Sequence, residues 1–135
     1  MVILKTPCLL LIGSRELTKK TLKLILKNLI SSIIYTNEKD SIPALMEYYN
    51  PSIIILDYNN KGPINSINSL LTIIYIIRIF DKSACIIILG TYFEKQEIFN
   101  SILENNITFI EKPYITNNLI SLIKEKINLN LKNGT

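Results

Sequence analysis

Five short apolar runs, Cys8–Ile12, Ser32–Tyr35, Ser52–Leu56, Ala84–Leu89 and Thr108–Ile110, alternate along the chain with longer segments of helical period. Three of them, CLLLI, SIIIL and ACIIIL, are continuously apolar instead of apolar at every second position. A strand wetted on one face alternates, whereas a strand covered on both faces does not, and double coverage is the condition of a parallel sheet between two helix layers. Strict strand–helix alternation with short connections produces right-handed crossovers. The predicted fold class is therefore α/β, a three-layer α/β/α arrangement around a doubly wound, five-stranded parallel sheet. The 135 residues suit one domain, expected over 1–131 with 132–135 as a frayed tail. A chain of this length buries about two-thirds of its unfolded surface and folds without a metal or a disulfide.

The helical period predicts helices over Leu17–Ile30, Asp40–Tyr49, Ile64–Phe80, Glu94–Glu104 and Thr116–Leu131. In the first, Leu22, Ile25, Leu26, Leu29 and Ile30 share one face, and Lys19, Lys20, Lys23 and Lys27 read as the solvated opposite face. Pro43 falls in the first turn of the second, where proline is tolerated. The third is apolar almost all round, so one stripe faces the sheet and the rest is either covered or a contact surface. The fifth carries Leu119, Ile120, Ile123 and Ile127 on one stripe.

Composition removes whole classes of function. With 48% hydrophobic and 19% charged residues, disorder is excluded. There is no histidine, which removes His-based triads, general bases, metal sites and phosphotransfer together. Cys8 and Cys85 lie in strand-like runs and read as reduced core residues. The net charge of +4 is spread along the chain and its one lysine cluster has no interleaved aromatics, so no nucleic-acid partner is expected. The longest apolar stretch, Leu70 to Phe80, is about half a membrane span and contains Arg78, so no span is expected. The run at Cys8–Ile12 is too short for a secretion signal, and the expected location is cytoplasmic.

Sheets of this kind bind ligands outside the carboxyl ends of their strands. The residues there are Gly13-Ser14-Arg15, Asp57-Tyr58-Asn59, Gly90-Thr91-Tyr92 and Glu111-Lys112-Pro113. Asp57 ends the third strand and Lys112 follows the fifth, so their charges converge on one rim, either as a structural salt bridge or as a phosphoacceptor with its lysine clamp.

With Ile53-Ile54-Ile55-Leu56-Asp57 at the third strand and Phe109-Ile110-Glu111-Lys112-Pro113 at the fifth, the chain resembles the receiver domain of bacterial two-component response regulators over roughly residues 6–129. The resemblance implies the flavodoxin-like strand order 2-1-3-4-5, phosphoryl acceptance by Asp57, contact from Lys112, a cis peptide before Pro113 and a switch aromatic at Phe109. It also implies a partner surface on the fourth helix, fifth strand and fifth helix, around Thr91, Phe109 and Tyr114. The departures are Gly13 and Ser14 where the family has two magnesium-holding acids, Gly90 where it has a hydroxyl residue, and Lys61 where it has a proline.

Magnesium is a hard cation that needs carboxylate oxygens, and Asp57 with Ser14 and the Asn59 carbonyl makes a poor cage. Phosphoryl transfer onto a carboxylate rests on cation neutralisation, which Arg15 would supply only by pairing with Asp57 in the metal's place. The expectation is a stand-alone pseudo-receiver: a signalling module with no enzyme activity and no metal or other cofactor, bound by protein partners. A homodimer is expected through the third helix or through the partner surface. Gly13→Asp with Ser14→Asp is expected to restore magnesium binding. The alternative is a genuine receiver, phosphorylated on Asp57 by a histidine kinase with magnesium. A second is a flavodoxin-like small-molecule binder or enzyme, against which stands the lack of a GxGxxG or GK[ST] loop.

Overall fold

The computed structural model describes residues 7–14, 16–59, 61–101, 106–114 and 116–133, with only the helical backbone at 16–18, 101 and 129–133. In chain order the elements are β1 (Cys8–Ile12), α1 (Glu16–Leu26), β2 (Ser32–Thr36), a 3-10 turn (Lys39–Ser41), α2 (Ile42–Tyr49), β3 (Ile53–Asp57), α3 (Ile67–Phe80), β4 (Cys85–Gly90), α4 (Tyr92–Ser101), β5 (Ile107–Glu111) and α5 (Thr116–Asn133). All four strand pairings are parallel, in the order β2-β1-β3-β4-β5. This is the flavodoxin-like, receiver-type order.

Successive side chains of a strand point to opposite faces, so each apolar run feeds two cores. Leu10, Ile12, Ile54, Leu56, Ile86 and Ile88 face α2, α3 and α4, which contribute Ile42, Met46, Leu70, Ile73, Ile74, Ile77 and Ile98. Leu9, Leu11, Ile53, Ile55, Ile87 and Leu89 face α1 and α5, which contribute Leu22, Leu26, Leu119, Ile120, Ile123 and Ile127. Burying each such side chain contributes about 1.5–3 kcal/mol before entropy is counted. Cys8 and Cys85 are free and buried.

Several element ends differ from the sequence expectation, and each has a local cause. The first helix stops at Leu26. Leu29 and Ile30 donate their N–H groups back to Leu26 O, so Ile30 is buried by a turn while Ile25 and Leu29 stand 46% and 37% exposed. They are not part of the expected apolar face. Helix α3 begins at Ile67, not Ile64, because Ser66 and Ser69 form a reciprocal capping box; Ile64 is buried ahead of it. Helix α5 runs to Asn133, two residues past the expected Leu131. Among the described residues no helix is long and apolar enough to cross a membrane.

Candidate functional site

Because the strands are parallel, their carboxyl ends meet at one rim. Asp57 stands at the middle of it, flanked by β1 on one side and by β4 and then β5 on the other. Lys112 follows β5, with β4 between it and β3, and its N–H donates to Gly90 O at 2.7 Å. Its ammonium pairs with Asp57 Oδ1 and donates to Tyr58 O at 2.9 Å. On the opposite side Ser14, itself buried, donates its hydroxyl to Asp57 Oδ2 at 3.0 Å. Both oxygens of the carboxylate are thus engaged, in a setting where Asp57 is 15% and Lys112 27% exposed. The expected meeting of Asp57 and Lys112 is what the rim contains, and the Lys112–Pro113 peptide is cis. Arg15, expected beside Asp57, lies outside the described residues.

The end of β1 departs from the expectation of a restorable acid pair. Gly13 has φ +88°, and its N–H donates to Thr36 O at 3.0 Å. A Cβ at this position would stand 3.0 Å from the main-chain oxygen of Asp57, which the sheet holds in place. An aspartate at 13 is therefore strained, and the double restoration Gly13→Asp with Ser14→Asp is not a simple gain of ligands. Among the described residues no three His, Cys, Asp or Glu side chains come together. One carboxylate, already held by an ammonium and a hydroxyl, does not fit the oxygen-rich shell a magnesium ion needs.

On the other side of the rim, Gly90 is filled by its neighbour. A Cβ there would meet the Phe109 ring at 3.0 and 3.2 Å and Glu94 Oε1 at 3.2 Å. Phe109, half-buried, also faces Phe99 with ring centroids 6.1 Å apart. Thr91 bonds with Glu94 at the start of α4. Its N–H donates to Glu94 Oε1 at 2.6 Å while Glu94 N–H donates to the Thr91 hydroxyl at 3.4 Å, a reciprocal box that starts α4 two residues earlier than expected. Tyr114 is half-buried against the α1/α5 core, so its ring packs as well as faces outward.

Tyr58 follows Asp57, is buried, and donates its N–H to Leu89 O at 2.8 Å. Burial, and then the carboxylates of Glu97 and Glu94, push its phenol above the ordinary value near 10.0. A raised acid holds its proton longer in the folded state than in the unfolded one. Its stabilisation is complete below the unfolded value and is lost as pH rises through the folded one. Urea midpoints are therefore expected to fall above about pH 10, and less steeply in Tyr58→Phe. An identical alkaline fall in the two proteins would acquit this phenol.

The end of β2, which sequence reasoning passed over, completes the rim. Tyr35 and Asn37 there, with Ser14, Asn59 and Lys61, line an open cleft of about 540 Å³. The rule that ligands gather at carboxyl strand ends applied equally to this strand and was sufficient to find it.

The sequence matches no protein-family model, and no curated protein matches it. Solved structures do match the fold. The N-terminal signal receiver domain of a two-component system response regulator from Bacteroides fragilis superposes with a TM-score of 0.70 at 18% identity, covering 91% of this chain and 98% of that one. The two component transcriptional regulator AraC from Clostridium phytofermentans gives 0.75 at 15%, covering 95% and 97%. The receiver domain of a sensor histidine kinase from Pseudomonas aeruginosa, solved with magnesium in its active site cleft, gives 0.65 at 15%, covering 92% and 99%. The fold is that of response-regulator receiver domains.

Proposed function

We propose that this chain is a receiver-type signalling module that works by being bound, without magnesium-dependent phosphorylation of Asp57 and without enzyme activity. The observation that carries the reading is the occupied carboxylate: Lys112 and Ser14 take its two oxygens, and Gly13, at a positive φ that would strain any side chain, stands where a second acid would be needed. Phosphoryl transfer places several charged oxygens beside a carboxylate and depends on cations to neutralise them. Among the described residues, the cation that meets Asp57 is Lys112, and it is already spent on the ion pair.

The binding partner in this reading is a signalling protein, met on the face of α4, β5 and α5. Its support is a row of aromatic side chains left in water: Tyr92, Phe93 and Phe99 are 56%, 83% and 54% exposed, with Lys95 over the Phe99 ring at 5.6 Å. Exposed aromatics among charged residues are the usual anchors of protein interfaces.

The test is intact-protein mass after incubation with a small phosphodonor and magnesium. The expected result is no gain. A gain of one phosphoryl group, absent in Asp57→Asn, overturns the reading. It would favour the genuine phosphoacceptor instead, for which the Asp57–Lys112 pair is the supporting observation.

A further inference from the structure

The cleft beside Ser14 is open, polar and of the opposite electrostatic character to a cation site. We infer that it binds a small oxyanion, a phosphate or carboxylate group, non-covalently, through Lys61, Asn59 and Tyr35. Its volume of about 540 Å³ lies in the range of small-molecule pockets.

The donor inventory gives the sign. The Tyr35 hydroxyl lies against the Asn37 side-chain amide at one wall of the cleft, and a hydroxyl can donate to an anion. Asn59 spends its side-chain oxygen on the Lys61 N–H at 2.9 Å, so the end it offers is the NH₂. The ammonium of Lys61 is exposed at the mouth, free to swing toward a ligand. A second ammonium, Lys19, stands 5.7 Å from the centroid of the Tyr35 ring that forms one wall. Asp57, on the far side of Ser14, is neutralised by Lys112 and turns an oxygen to the Ser14 hydroxyl. Two lysines and two neutral donors, with no acid among the described residues that line the cleft, attract an anion and repel a divalent cation. Gly13 and Gly62 line the same cleft, so the main chain leaves room for a ligand to approach closely.

This inference does not rest on the fate of Asp57. A mass gain with a phosphodonor would sink the proposed function and leave the cleft as it is.

The experiment is an amide-shift titration by two-dimensional NMR with inorganic phosphate, in EDTA and at constant ionic strength, with acetate and chloride as parallel arms. Saturable shifts at Gly13, Ser14, Asn37 and Gly62 with phosphate are expected; acetate reports whether a carboxylate serves equally. Lys61→Ala is expected to weaken binding about tenfold, since it removes a charge-assisted contact. Tyr35→Phe is expected to weaken it by a smaller factor. Both positions are at the surface or half-buried, so the variants fold. Lys82→Met, at an exposed position before β4 and so at the opposite end of the sheet, is expected to leave the phosphate titration unchanged. Linear shifts without saturation, equal shifts with chloride, or a loss seen in Lys82→Met but not in Lys61→Ala would each overturn the assignment.

Discussion

Gly13→Asp is expected to lower stability by about 3 kcal/mol and to leave no magnesium site behind. Two costs add. A φ of +88° is strained for any L side chain, on the order of 1–3 kcal/mol. The new Cβ also meets the main-chain oxygen of Asp57 at 3.0 Å, and that oxygen belongs to a strand paired on both sides. Crowding a fixed neighbour adds about 1–3 kcal/mol more. The measurement is the urea midpoint of Gly13→Asp against the parent, with Gly13→Ala and Gly13→Asn as controls. Asparagine tolerates positive φ better than alanine but carries the same Cβ. A milder Gly13→Asn therefore assigns the loss to backbone strain, and equal losses assign it to the contact with Asp57. Ser14→Asp is the substitution that alone adds a carboxylate without that backbone constraint, since positive φ is confined to Gly13 at this strand end. An unchanged midpoint in Gly13→Asp, together with saturable magnesium binding, would sink this account.

The sheet was readable because burial on both faces leaves short, continuous apolar runs between turn residues; α3 carries such a run too, Ile73 to Ile77, but inside a segment too long for a strand. CLLLI, IIILD and CIIILG became β1, β3 and β4 within one residue of the expected limits. The rim pair was readable for a related reason: a charge that ends such a run has nowhere to go except the carboxyl edge, where Asp57 and Lys112 converge. Helix ends were less legible. They are set by side chains that bond locally, and Thr91 with Glu94 was a capping box in plain view that moved the start of α4. Ile25 and Leu29 misled because helical period alone does not say where the helix stops, and with the last turn unwound they lost the face they were assigned. The positive φ at Gly13 was invisible, since a glycine after a strand reads the same whether its φ is negative or +88°. The packing of Phe109 onto Gly90 depends on two strands meeting in register, Ile88 beside Phe109 and Gly90 beside Glu111, which no single segment encodes.

Asp57→Ala is expected to destabilise the fold by about 1–3 kcal/mol, because it leaves a mostly buried ammonium facing a methyl group. With the carboxylate gone, Lys112 retains the Tyr58 carbonyl and Ser14 loses its acceptor. Asp57→Asn separates the two losses: it keeps an oxygen for the Ser14 hydroxyl but removes the charge, so the difference between the variants isolates the hydrogen bond from the ion pair. Lys112→Met supplies the other arm, keeping an apolar stem of similar length while removing the ammonium. If the two groups act as one unit, the double variant Asp57→Ala with Lys112→Met is less destabilised than the sum of its parts, by about 1 kcal/mol or more. Salt discriminates further. A pair exposed like a surface bridge weakens toward nothing in molar chloride, whereas one 15% and 27% exposed is screened much less. Strict additivity of the single variants, with midpoints that converge at high salt, would mean that the charges are independently solvated. The rim would then lack the ion pair that ties the end of β3 to the residue after β5, and the occupied carboxylate behind the proposed reading would rest on the Ser14 hydroxyl alone.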